Sequence, residues 1–512
     1  MAIKIILLLA FFAGLVIVGF LCRKNAKDVN GFVLGGRSVG PWLTAFAYGT
    51  SYFSAVIFIG YAGQFGWKFG VASTWIGIGN ALLGSLLAWV VLGRRTRLMT
   101  QKLGSATMPD FFGTRYDSKG LKLSASLIAF VFLIPYTASL YNGLSRLFEM
   151  AFGIDYTYCI LIMAVLTAVY VIAGGYMATA INDFIQGIIM LIGIVAVVAA
   201  VLMTKGGFTE ALAKLAEVES DAPGAYASFF GPEPLGLLAV VLLTSLGTWG
   251  LPQMVQKFYA IKNESAITKG TVISTVFALI VAGGCYFLGG FGRLFLSESQ
   301  VAALGFDSII PTMLDGMPDI LIAVVLVLVL SASMSTLSSL VLASSSTLTL
   351  DFLKGNIIKR MSERLQLLLM RIFIAIFIVI SAVLAIFQYL DGSTFIAQLM
   401  GISWGALAGA FLAPFVYGLY WKRTTKLACF VSFICGTGLM LANMILNRID
   451  PTLIPEIVRS PINCGAFAML LGLVLVPAVS LCSKKPDQSK VEDMFSAYDK
   501  KVAVNAKESL GN

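Results

Sequence analysis

Apolar residues in this chain do not alternate with polar ones; they run. Stretches dominated by Leu, Val, Ile, Ala and Phe recur from residue 4 to residue 482. Each approaches or exceeds the roughly 20 residues that an α-helix needs to cross a ~30 Å hydrocarbon core. The pattern predicts about thirteen spans, at 4–22, 41–65, 70–93, 122–150, 155–175, 178–203, 234–258, 268–292, 319–350, 365–390, 394–420, 427–447 and 461–482. The expected fold class is therefore all-α and polytopic, because a chain in lipid must satisfy its backbone polar groups internally. The run Ile5–Cys22 has no small-x-small cleavage site after it, and its paired positive charges, Arg23 and Lys24, follow it, against the single Lys4 before it. It reads as a retained first span, not a signal peptide.

Setting aside the first span and the last two leaves ten, which divide into groups of five that begin on opposite sides of the membrane. That is the arithmetic of an inverted repeat. It gives a membrane domain over 1–482: an extra helix at 4–22, one repeat at 41–203, a second at 234–420, two further helices at 427–482, and a polar cytoplasmic tail at 483–512. In such an architecture the first helix of each repeat is broken near the midplane. Ala47-Tyr-Gly-Thr-Ser-Tyr-Phe-Ser-Ala55 and Leu243-Thr-Ser-Leu-Gly-Thr-Trp-Gly-Leu-Pro252 interrupt those two spans. Fifty glycines would place Gly in many spans by chance. Gly beside Ser, Thr and Pro at matching places in both halves instead predicts unwound backbone facing a cavity.

Composition agrees: 58% of the residues are hydrophobic and 12% charged, with a mean hydropathy of +0.89. The net charge of +10 does not imply nucleic acid. Most of the Lys and Arg fall on one side of the predicted spans, which places the N-terminus outside and the C-terminus in the cytoplasm of an inner, plasma-membrane protein. Arg94, Arg95, Arg97, Lys422 and Arg423 are expected anchors toward anionic lipid. Arg37 reads as one more anchor, or as a gate at the inner vestibule. Histidine is absent and the seven cysteines are scattered, so neither His-based catalysis nor a metal or disulfide framework is suggested. No cofactor motif, catalytic constellation or obligate protein partner is evident.

The stretch Ser331–Thr349 carries many hydroxyls inside an otherwise apolar run. Lipid offers no water to satisfy them, so they bond back along the helix or face a ligand. Ser344, Ser345 and Ser346 are expected to bond back. Ser335, Ser338 and Ser339 share one helix face at spacings of three and four, so one cation there would meet several oxygens. Asp183 is the acidic residue placed well inside a span, where an ionised carboxylate needs a partner.

Three motifs carry a resemblance across nearly the whole chain: Gly31-Phe-Val-Leu-Gly-Gly-Arg-Ser-Val-Gly40, Tyr170-Val-Ile-Ala-Gly-Gly-Tyr-Met-Ala-Thr-Ala-Ile-Asn-Asp-Phe-Ile-Gln-Gly187 and Ser333-Met-Ser-Thr-Leu-Ser-Ser339. In order and in span, they resemble the sodium:solute symporter family, and the proline and pantothenate branches more than the sugar branch. The resemblance implies two inverted five-helix repeats and Na⁺ as coupling ion. Its primary sodium would be held by the backbone carbonyls of Thr50, Phe53 and Ala332 and the hydroxyls of Ser335 and Thr336. A second sodium, found in some members, would use Asp183, Ser335, Ser338 and Ser339. Asp183 also fits as a helix cap or as a hydrogen-bond partner of Asn182.

The solute is expected at the two breaks, among Phe53, Ser54, Tyr136, Thr248, Trp249 and Gln253. Tyr136 matches a pocket position of the proline branch and fits interior packing equally; Trp249 fits the cavity wall. The chain departs from the proline branch where that branch has an aspartate, here Tyr52, and two pocket tryptophans, here Val56 and Thr244. The expected function is sodium-coupled import of a small organic acid or zwitterion, pantothenate-like or proline-like, by alternating access. The alternative is a membrane solute sensor without sodium-driven flux. The expected partners are the solute, sodium and the bilayer.

Overall fold

The computed structural model describes residues 2–391 and 396–502. The first two residues of the span expected at 394–420, and the tail beyond Val502, lie outside the described residues. Nearly all the rest is helix, and the described residues include only two isolated β-bridges. Among the described residues, ten helices are long and apolar enough to cross a membrane, or eleven when the bent pair Pro234–Gly250 and Pro252–Tyr259 is taken as one span.

The difference from thirteen arises where helices join without a loop. Tyr156–Met203 is one continuous element of 48 residues, about 72 Å at 1.5 Å per residue and more than twice a hydrocarbon core. Inside it Gly175 adopts φ 56° and ψ −152°, a conformation that a residue with a Cβ rarely takes. A Cβ there would also stand 2.8 Å from the Phe32 ring. The break at Gly175 divides the element into 156–174 and the helix that runs on to Met203. Likewise Val56–Lys102 continues as helical turns through residues drawn as two spans.

Two helices are broken as the Gly/Ser/Thr pattern predicts. Pro41–Tyr52 ends at Phe53, whose φ −98° and ψ 130° are extended, and helix resumes beyond Ser54. Pro234–Leu246 tightens into a 3₁₀ turn, Gly247–Gly250, and passes through extended Leu251 (φ −90°, ψ 121°). Pro252 then starts the next helix, in keeping with its fixed φ and missing N–H. The bend is 50°. The Val39 N–H donates to the Ala260 carbonyl at 3.1 Å, and the Val39 carbonyl accepts from Lys262 N–H at 3.1 Å, tying the approach to one broken helix to the end of the other.

Burial sorts centre from rim. The most apolar window of Asp319–Leu353 is 83% buried and that of Ile396–Tyr420 is 94% buried, against 22% for Ile3–Leu21 and 33% for Lys426–Ile449. The hydroxyl-rich helix is thus central. Ser333, Ser345 and Ser346 donate back to carbonyls three or four residues earlier, whereas the Ser344 hydroxyl, expected to do the same, has no hydrogen-bond partner.

Two arginines expected as anchors are buried instead. Arg97 donates to the Ile261 carbonyl at 2.6 Å, and Arg37 to the Ser105 carbonyl at 2.6 Å and the Thr100 hydroxyl at 3.2 Å. They clamp loop backbone that no helix satisfies. The described part of the tail, up to Val502, forms one short helix, Gln488–Phe495, and a following turn, held by Lys102–Asp493 and by Arg94 on the Tyr498 carbonyl.

Candidate functional site

The unwound turn at Phe53 leaves carbonyls without helical partners, and it lies against the middle of the hydroxyl-rich helix. Ser335 Oγ is 3.2 Å from the Thr50 carbonyl oxygen and 3.0 Å from that of Ala332. Thr336 Oγ1 is 3.3 Å from the Thr50 oxygen, 3.2 Å from Phe53 and 3.0 Å from Ala332. The five residues expected for the primary sodium are therefore brought together, all buried.

The arrangement is rich in acceptors. Each hydroxyl has one hydrogen to donate, so two hydrogens are shared among five short contacts. The remaining lone pairs converge on one another, an arrangement that a cation relieves. Oxygens held ~2.4 Å from a hard cation and at right angles stand about 3.4 Å apart, close to the separations found. None of the five is charged, which suits an ion that must leave again.

The residues expected for a second sodium are arranged differently. Ser338 and Ser339 both donate to the Ser335 carbonyl, at 2.9 and 3.1 Å. The Ser339 hydroxyl also meets Ser51 Oγ at 2.8 Å. Between Ser339 and Asp183 stands Lys257: its Nζ is 2.9 Å from Ser339 Oγ and 3.6 Å from Asp183 Oδ2. Both charged side chains are buried. Lys257 went unnoticed in the sequence because it lies next to the end of a predicted span, where a lysine reads as an anchor. The signal was its place on the Pro252–Tyr259 helix just after the break.

At the breaks, three of the expected solute residues offer free polar atoms. Ser54 Oγ, the Tyr136 hydroxyl and both side-chain amide atoms of Gln253 are buried without hydrogen-bond partners. The Trp404 indole N–H is in the same condition, with its ring 5.8 Å from that of Tyr136 and perpendicular to it. Trp404 was missed because it sits in the middle of an apolar span without any neighbouring break. In a membrane interior, a group of unsatisfied polar atoms at one place points to a polar ligand.

Two other expected residues are already engaged. The Trp249 indole donates to the Leu83 carbonyl at 3.1 Å, and the Thr248 hydroxyl to the Ser245 carbonyl at 2.8 Å, so both read as wall. Phe53 presents its carbonyl to Thr336. Two of the three departures from the proline pattern meet: the Tyr52 hydroxyl donates to the Thr244 carbonyl. Thr244 and Ser245 in turn donate to Asn80 Oδ1, at 3.0 and 3.1 Å.

Known proteins resemble this chain over most of its length. The family model described as the sodium:solute symporter family matches residues 32–436. Sodium/proline symporter 2 of Staphylococcus saprophyticus is 31% identical over 439 residues, covering 84% of each chain. The osmoregulated proline transporter of Bacillus subtilis is 27% identical over 505 residues, covering 98% of this chain and 99% of its own. Among solved structures, a Na⁺-coupled sialic acid symporter in a substrate-bound outward-open state aligns with a TM-score of 0.70 at 17% identity, over 95% of this chain and 99% of that one. The nucleobase-cation-symport transporter Mhp1 aligns at 0.51 and 15% identity, over 91% and 98%. At these identities the likeness is one of fold.

Proposed function

This chain belongs to the sodium:solute symporter family, and from that premise we propose that it imports a small zwitterion of proline's class together with sodium by alternating access. Its relatives are transporters, and sodium-coupled solute symport across the membrane is the activity the family supports. The observation that carries the reading is the meeting of Thr50, Phe53, Ala332, Ser335 and Thr336 at the first helix break. Sodium bound there joins the first broken helix to the hydroxyl-rich helix. The solute then lies alongside, with its polar ends on Ser54, Tyr136, Trp404 and Gln253.

The proposed frame is thirteen crossings, two inverted five-helix repeats, the N-terminus outside and the C-terminus in the cytoplasm. The Gly175 break and the matched breaks at Phe53 and Leu251 support it. The names of the relatives put the proline-like reading ahead of the pantothenate-like one. The Tyr52–Thr244 contact distinguishes this pocket from the proline pattern, so a related zwitterion is the next solute to try.

The energetics suffice. One charge crossing ~100 mV supplies roughly 2.3 kcal/mol, which sustains on the order of a fifty-fold accumulation of a net-neutral solute. The test is uptake of labelled proline and related zwitterions into proteoliposomes. Accumulation above equilibrium that requires an inward sodium gradient is expected. Equal uptake in potassium would overturn the coupling, and solute binding without any sodium-driven flux would assign a sensor instead.

A further inference from the structure

We propose that the Lys257 ammonium is a tethered cation that takes the place of a second sodium ion beside Asp183, so that this carrier moves one sodium per cycle. The inference rests on the sodium-coupled reading above and goes beyond it to the number of ions and the residue that sets it.

The oxygens around the Lys257 ammonium are those a cation collects. Ser339 Oγ lies at 2.9 Å and a carboxylate oxygen of Asp183 at 3.6 Å. The Tyr176 ring offers its face with its centroid 5.3 Å away. Ser51 Oγ, 2.8 Å from Ser339 Oγ, completes the polar wall. Asp183 and Lys257 are 0% and 2% exposed, and neither Asp183 oxygen has a hydrogen bond. The ammonium is thus the charge that makes an ionised Asp183 tolerable. A sodium ion added here would sit within a few ångströms of a like charge, in a place where little solvent screens them.

The primary cluster has no such occupant. Its oxygens come from Thr50, Phe53, Ala332, Ser335 and Thr336, with no charged side chain among its hydrogen-bond partners. The two clusters share Ser335. Its hydroxyl faces the first, and its carbonyl accepts from Ser338 and Ser339 in the second. One helix therefore presents one open cation position and one filled by the protein itself.

The test counts sodium ions bound at saturation to the purified full-length carrier, using radioactive sodium. Wild-type protein is expected to bind one. Lys257→Met, which vacates the position and leaves Asp183 in place, is expected to bind two. Lys257→Met/Asp183→Asn, which removes the carboxylate as well and leaves no buried charge, is expected to return to one. Two ions bound by the wild type overturn the proposal whether or not either variant folds, and so does a single ion bound by folded Lys257→Met. No sodium binding by the wild type, together with sodium-independent uptake, refutes the coupled reading itself and is distinguishable from both.

Discussion

The Tyr52 hydroxyl donates a hydrogen bond to the Thr244 backbone carbonyl, joining the two broken helices one residue before the first break and a few residues before the second. Tyr52→Phe keeps the ring against Trp404 but leaves that buried carbonyl without the hydroxyl. The expected loss is about 1–3 kcal/mol of stability, read as a lower unfolding midpoint in detergent. Apparent solute affinity should fall as well, because the breaks are no longer tied. An unchanged midpoint would show that water or the helix itself satisfies Thr244.

Removing one ligand from the cluster at Ser335 and Thr336 should act on sodium before it acts on solute. Ser335→Ala and Thr336→Ala each delete one neutral oxygen, expected to weaken sodium binding about tenfold, or ~1.4 kcal/mol. The half-saturating sodium concentration for uptake should rise accordingly, with maximal velocity recoverable at high sodium. The double variant should lose sodium stimulation altogether. Full sodium dependence in the double variant would remove these residues from the coupling site.

How far the sequence carried depends on which physical signal each feature leaves in it. Apolar runs and the Gly/Ser/Thr interruptions are local, so the helical class and the breaks at Phe53 and Leu251 were legible. The separation of 155–175 from 178–203 was legible as length, although the structure joins them through Gly175 without a loop. The Ser335/Thr336 cluster was reached through motif resemblance, since nothing local says that Thr50 and Ala332 meet. Lys257 left only its place just after the break as a signal, and Trp404 left no local one. Their roles come from what packs opposite them, Asp183 and Ser339 for one and Tyr136 for the other, and single-chain patterning is silent about such pairs. Arg37 and Arg97 misled for the same reason: a basic residue at a span end looks alike whether it meets lipid or buried carbonyls.

Asp307 gives a pH signature in the connection between Gly289 and Asp319. It is 8% exposed and faces a cavity of about 220 Å³ with Arg146, Tyr156, Gln388 and Tyr389. Glu149 lines an adjoining cavity that Asp307 and Arg146 also line. Burial pushes the Asp307 carboxyl up to about 6, against smaller lowering effects of the Ile396 N–H and of Arg146. The folded state therefore binds this proton more tightly than the unfolded state, and stability falls as pH rises from about 4 through about 6. Relative to Asp307→Asn, the wild type should lose about 3 kcal/mol across that window. Unfolding midpoints of both proteins between pH 4 and 7 check it; parallel profiles would contradict it.

The proposed orientation has a native reporter. Cys482 is exposed at the end of the last long helix, while the other six cysteines are buried or half-buried. It stands beside Lys484 and Lys485, whose charge predicts the cytoplasmic side. A membrane-impermeant thiol reagent should label inside-out vesicles and spare right-side-out ones, and Cys482→Ser should abolish the difference. Labelling of right-side-out vesicles at Cys482 would invert the topology.

The Asp183–Lys257 pair predicts strong thermodynamic coupling whatever the sodium count. Either single neutralisation, Asp183→Asn or Lys257→Met, strands the other charge in a buried site, where the cost is about 3–5 kcal/mol. Removing both leaves no uncompensated charge, and the double variant should recover most of that loss. In a double-mutant cycle on unfolding midpoints the interaction term should therefore be large and favourable. The Ser339 contact supplies an internal control. Ser339→Ala deletes one hydrogen bond to the ammonium but leaves the ion pair at 3.6 Å, so it should cost about 1–3 kcal/mol, less than either charge deletion. Additive effects of Asp183→Asn and Lys257→Met would mean that the two charges are screened from each other by water reaching the site, and the closed, buried pair would have to be abandoned.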